Sequence, residues 1–238
     1  MKDSSVKKKR NWKNLIGRFL FVTLFLSIGY TIVRIIMAPS GQPVDTDLYV
    51  KVKSDYVLML LQCLLGLIVM MIPSIIERRF SIDIPNKMEV VYFIFLYCAI
   101  YLGEVRNFYY QIPYWDTILH AFSGAMLGAL GFSLVSFLND SQHIHMHLSP
   151  FFVAMFAFCF ALAAGAVWEI YEYTFDGLLS LNMQKHTLES GVPLVGREAL
   201  ADTMKDIIVD ALSALAVSVA GYYQLKRQEK EEASESCM

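Results

Sequence analysis

Charge is what this chain has least of. Asp, Glu, Lys and Arg make up 18% of its 238 residues, where soluble domains carry about 25%. With 56% hydrophobic residues and a mean hydropathy of +0.46, that shortage excludes an ordinary soluble domain. A net charge of −2, with no basic patch and no basic-aromatic interleaving, argues against a nucleic-acid partner. The four cysteines form no CxxC pair. Cys63, Cys98 and Cys159 lie in apolar runs and read as ordinary buried thiols, and Cys237 is too near the last residue for a prenylation box. There is no glycine-rich phosphate loop and no nucleophile motif. No internal repeat supports an inverted-repeat transporter, and no alternating pattern supports a membrane barrel.

Long apolar runs are what the chain does have. Six spans are expected near 15–37, 56–76, 88–108, 115–138, 151–175 and 202–223, each close to the ~20 residues a membrane helix needs. The fold class is therefore all-α: a polytopic membrane bundle of about six helices. Residues 1–14 form a basic N-terminus, 15–225 the transmembrane domain and 226–238 a polar tail, whose acidic stretch from Gln228 reads as disordered. The first span follows Lys7, Lys8, Lys9 and Arg10, but it is longer than a signal-peptide core and lacks a small-residue cleavage site, so it reads as uncleaved. Arg18 and Arg34 near its ends can snorkel to headgroups.

The basic N-terminal cluster, Arg78, Arg79, Lys87, Lys226, Arg227 and Lys230 fall on one side. The other side holds fewer: Arg34, Lys51, Lys53, Arg106, Lys185, Arg197 and Lys205. The positive-inside rule then places both termini in the cytoplasm of an inner, or cell, membrane protein. Trp12, Trp115 and Trp168 sit near span ends, as aromatic belts do. Glu77, Arg78 and Arg79 read as a solvated headgroup anchor. The segment 177–201, with Gly191, Pro193 and Gly196, reads equally well as a lid or as a connector.

The carboxylates mark the candidate site. Asp116 opens one span, Glu169, Glu172 and Asp176 close the next, and Asp202, Asp206 and Asp210 open the last. Chain reversal brings all of them to one side. At 1.5 Å per residue, Asp210 lies roughly 24 Å from Lys226, His120 roughly 28 Å from Asn139 and Glu169 roughly 27 Å from Phe151. All three counts reach one depth near the outer interface. Residues four apart share a helix face, and each polar stripe continues as small residues: Asp116–His120–Gly124–Gly128, Ala161–Gly165–Glu169 and Asp202–Asp206–Asp210–Ala214–Ser218. Small residues mark close helix approach, so these carboxylates are expected to point into the bundle.

Clustered carboxylates cannot all stay ionised without compensation. A metal ion, bound protons or the basic candidates Arg106, Lys205 and Arg197 would supply it. One divalent ion (Zn, Mn, Fe or Mg) is the cofactor implied, because a His with several carboxylates suits the first three and carboxylates alone suit Mg or Ca. Asp116, His120, Glu169 and Asp206 are the candidate ligands, and Glu172 and Asp210 the candidate catalytic bases. The competing account is plain span-end polarity. It covers Asp202 as a helix cap and Asp176 as a water-facing group, but not the deeper Asp210 and His120. His143, His145 and His147 form a weaker candidate metal group in an inner loop.

The stretches WDTILHAFSGAMLG (115–128), WEIYEYTFD (168–176) and ADTMKDIIVDALSALA (201–216) resemble the core of the YjdF-like family of bacterial inner-membrane proteins. The similarity runs from about the second span to the sixth and matches at Asp116, His120, Glu169, Glu172, Asp202, Asp206 and Asp210, with Ser213 where a Gly is expected. The Asp-x-x-x-His start is also similar to VanZ-like membrane proteins. The resemblance implies a multi-helix membrane protein with no settled activity. Three functions stay open. The first is a metal-assisted enzyme acting on a lipid or lipid-linked substrate at the outer face. The second is a cation- or proton-coupled transporter, and the third a structural or partner-binding protein. The inner halves of the spans are apolar, which counts against a through-path. The oligomeric state is not encoded in any readable feature.

Overall fold

In a computed structural model, residues 12–40, 51–80, 84–140, 148–188 and 192–235 are described. The chain is an all-α helix bundle, and the one β-bridge among the described residues joins Thr187 and Pro193. Its helices are α1 (Trp12–Met37), α2 (Lys53–Val69), α3 (Ile72–Phe80), α4 (Asn86–Leu96), α5 (Phe108–Gln111), α6 (Trp115–Asp140), α7 (Pro150–Leu179) and α8 (Arg197–Glu235), with α4 continuing as a π-helix over Tyr97–Val105. Five segments among the described residues are long and apolar enough to cross a bilayer: Trp12–Met37, Lys53–Arg79, Asn86–Val105, Trp115–Val135 and Pro150–Leu179. The sixth expected span, 202–223, falls within α8, which is not among these five.

The chain divides into two compact units. In the first, α1, α2 and α4 with its π extension pack around Leu20, Leu24, Tyr56, Met59, Cys63, Phe93, Leu96 and Ile100. Pro73 explains the break between α2 and α3. It has no N–H for the carbonyl four residues back, that of Val69, and the Tyr92 hydroxyl donates to that oxygen instead, at 2.8 Å. Polar groups within α1 are satisfied locally: the Ser27 and Thr31 hydroxyls each donate to a carbonyl one turn back, at 2.7 Å. Arg34 does not snorkel freely. It donates to the Tyr56 hydroxyl from Nε at 3.0 Å and from a terminal nitrogen at 2.7 Å, tying α1 to α2. Lys13 pairs with Glu89, which is 1% exposed, and lies 3.8 Å from Glu77. Glu77 is thus drawn into an ion-pair group as well as any headgroup anchor.

The second unit is a three-helix bundle of α6, α7 and α8. Ser149 caps α7, its hydroxyl accepting from the Phe152 N–H at 3.3 Å, with Pro150 in the first turn. The helices approach through the expected small residues. Ala157, Ala161 and Ala214 are fully buried, and a Cβ on Gly131 would come within 2.7 Å of the Ala157 Cα. On α8, Ile208, Leu212, Leu215 and Val219 are exposed and form one apolar stripe, while Asp206, Asp210, Ala214 and Ser218 are buried on the opposite side. A helix that turns its apolar face outward and its carboxylates inward suits a lipid surround. The expected disorder from Gln228 is corrected: α8 runs on to Glu235, with Arg227 and Glu231 paired one turn apart at 2.8 Å.

Candidate functional site

Asp210 is buried between helices α6, α7 and α8 of the second unit. It is 2% exposed, and glycines on both neighbouring helices make room for it. A Cβ on Gly124 of α6 would lie 2.8 Å from the Asp210 carbonyl oxygen, and one on Gly165 of α7 would overlap the Asp210 carboxylate. His120 Nδ1 lies 3.2 Å from Asp210 Oδ2, and the Ser123 hydroxyl donates to Oδ1 at 3.3 Å. These contacts, from the ring and from Ser123, fix the relative orientation of the His120 ring and the Asp210 side chain. That orientation turns Nε2 toward Asp116 Oδ1 and Asp206 Oδ2, each 3.9 Å away.

Asp116, His120 and Asp206 each offer one donor atom, and these atoms lie within 4.8 Å of one another. Donors about 2.0–2.2 Å from a tetrahedral ion sit about 3.4 Å apart, so a contraction of well under 1 Å at each 3.9 Å contact would match that spacing. Glu169 is 4% exposed, and both its carboxylate oxygens are buried without a hydrogen-bond partner. The Thr203 hydroxyl is the group that approaches it, and it lies within electrostatic reach of His120, Asp116 and Asp202. A buried carboxylate is costly, and a cation, a proton or a hydrogen-bond donor must offset it. Glu172, half-buried one turn on, accepts from Trp168 Nε1 at 2.9 Å and feels Glu169, Asp116 and His120.

Asp116, His120, Asp206 and Asp210 thus come together, while Glu169 and Glu172 of α7 lie within their electrostatic reach and outside the group of converging donor atoms. Asp176 does not take the water-facing place that the competing account gave it. It is buried and accepts from the backbone N–H groups of Met183 at 2.8 Å and Gln184 at 2.9 Å, with His186 Nδ1 at 3.5 Å. It anchors the segment after α7. Ser180 ends α7 in the left-handed region. Leu181 and Met183 are buried, and the Asn182 side chain bonds the backbone of Thr187 twice, at 2.7 and 2.9 Å. The segment therefore has a defined fold that carries one cation to the cluster.

That cation is Lys185, which none of the three expected basic residues foreshadowed. Its ammonium pairs with Asp116 and lies 3.7 Å from Asp202. Burial works against its charge, but Asp116 and Asp202 outweigh burial and raise its pKa above the ordinary lysine value. Lys205 and Arg197 are exposed. Arg106 and Glu104 belong to the first unit, where Lys51 donates to the Glu104 carbonyl at 3.4 Å. His143, His145 and His147, and Cys237, lie outside the described residues. The only sequence signal for Lys185 was its place nine residues beyond Asp176 in a loop with no other lysine.

The model of a family described as predicted membrane protein (DUF2238) matches residues 44–227. An uncharacterized protein of Thermotoga maritima is 26% identical over 151 residues, covering 63% of this chain and 69% of the relative. No solved structure matches.

Proposed function

The chain belongs to the DUF2238 family of predicted membrane proteins, and from that premise we propose that it binds one divalent cation in the second unit. Asp116, His120 and Asp206 are the ligands and Glu169 is the fourth donor. The observation that carries this reading is the convergence of α6 and α8 carboxylates on His120 Nε2, with the buried Glu169 of α7 within electrostatic reach of it. A mixed set of one imidazole and carboxylates suits Zn, Mn or Fe better than Mg.

Asp210 acts through His120. An acceptor on the far nitrogen of a ligating imidazole fixes its tautomer and raises its basicity. Asp210 is therefore a positioning residue, and Glu172, nearer the end of α7 and half-buried, is the better base. When bound, the ion would polarise a phosphoryl or carbonyl oxygen or activate water. The substrate class is a lipid or lipid-linked head group reached at the extracytoplasmic face of the cell membrane. The positive-inside pattern supports that face, and the exposed apolar stripe on α8 supports a lipid surround for the unit.

The test is a Co²⁺ titration of the full chain in detergent. A visible absorption spectrum characteristic of nitrogen and oxygen ligation, absent in His120→Ala, is expected. No saturable spectrum in the wild type would refute the reading.

A second reading has its own support. Lys185 on Asp116 and His120 on Asp210 make partial internal neutralisation, as a structural polar core would. It predicts that Asp116→Asn and Asp206→Asn lower thermal stability while no metal binds to any form.

A further inference from the structure

We propose that Lys185 is a built-in counter-ion that competes with the metal for Asp116, so that loading the site requires the lysine to let go. This rests on the metal-site reading above and adds its regulation. The Lys185 ammonium pairs with Asp116, one of the three converging donors. A carboxylate held by an ammonium has fewer lone pairs for an ion, and the ammonium's positive charge repels one a few ångströms away. The lysine also has somewhere to go. Asp202 Oδ2 is 3.7 Å from Nζ, and the side chain is 27% exposed, so a small swing exchanges Asp116 for Asp202 and water.

The geometry separates the lysine's head from its support. The backbone around it is held by Asp176, by the Asn182–Thr187 pair and by Gln184 on Thr203 at 2.8 Å, and none of these uses the Lys185 side chain. Lys185 itself stands at φ 48°, a conformation non-glycine residues adopt infrequently, so this backbone presents the lysine in a set direction. Removing the charge should therefore leave the segment folded.

The sign of the outcome is unusual. Losing a residue of the site should tighten metal binding. Lys185→Met in the full chain is expected to bind Zn²⁺ and Mn²⁺ about tenfold more tightly than the wild type in competition with a chromophoric chelator. Lys185→Arg keeps the charge and can fork onto Asp116, so it should bind metal no more tightly than the wild type. In the wild type, adding Zn²⁺ should raise the reactivity of Lys185 toward an amine-acylating reagent, read by mass spectrometry, because the ammonium leaves Asp116. Weaker or unchanged metal binding in Lys185→Met, or unchanged acylation on adding metal, would overturn the counter-ion role while leaving the metal site standing. No metal bound by the wild type or by Lys185→Met would overturn both.

Discussion

Gly165→Ala touches no candidate ligand, yet it should damage the site. The new methyl would overlap Asp210 Oδ2 and stand 3.1 Å from its Cγ and 3.4 Å from its Cβ. Helix α7 cannot easily retreat, because Ala161 one turn back is fully buried. The carboxylate must therefore rotate, and it holds His120 at 3.2 Å and Ser123 at 3.3 Å, distances with little slack. Overpacking of this kind costs about 1–3 kcal/mol. Loss of the outer partner of a ligating histidine lowers metal affinity about 10–100-fold. The control is Gly128→Ala, whose methyl would sit 3.4 Å from Val217 Cγ1 and 3.7 Å from the Ala214 Cα, so it is ordinary packing. Thermal unfolding in detergent and chelator competition would measure both terms. The reasoning is refuted if Gly165→Ala matches Gly128→Ala in stability and metal affinity.

Lys13→Met should lower thermal stability by about 3–5 kcal/mol, since it strands the buried Glu89 carboxylate. Lys13→Met with Glu89→Gln should recover much of that loss, and equal melting temperatures for wild type and Lys13→Met would contradict the pairing. Asp176→Ala removes the acceptor of two backbone N–H groups and should cost about 1–3 kcal/mol locally. Hydrogen exchange at Met183 and Gln184 should speed up while exchange in the α6–α8 core does not. Protection unchanged at those two amides would count against the anchor.

Helix periodicity made the inward face of α8 legible. Asp206, Asp210, Ala214 and Ser218 are spaced four apart, and the alternative face carries Ile208, Leu212, Leu215 and Val219. Depth counting likewise set Asp210, His120 and Glu169 at one level, because rise per residue depends little on side chains. Lys185 and Asp176 were not legible, because a loop's direction depends on which backbone N–H groups find acceptors. Asp176 is bound to residues seven and eight positions later, a separation with no periodic signature. The helix beyond Gln228 was hidden by composition, since a charged, apolar-poor stretch reads as disordered even when a long helix propagates into it and pairs such as Arg227–Glu231 support it. The division into two units left no mark in hydropathy, which reports burial in lipid and says nothing of which helices cluster.

The most direct test of the central claim is elemental analysis of the purified full chain after metal supplementation, alongside Asp116→Asn and Asp206→Asn variants that remain folded. One ion per chain in the wild type, lost in both variants although they lie on different helices, is the predicted result. No ion in the wild type, or an ion retained by both variants, would contradict it.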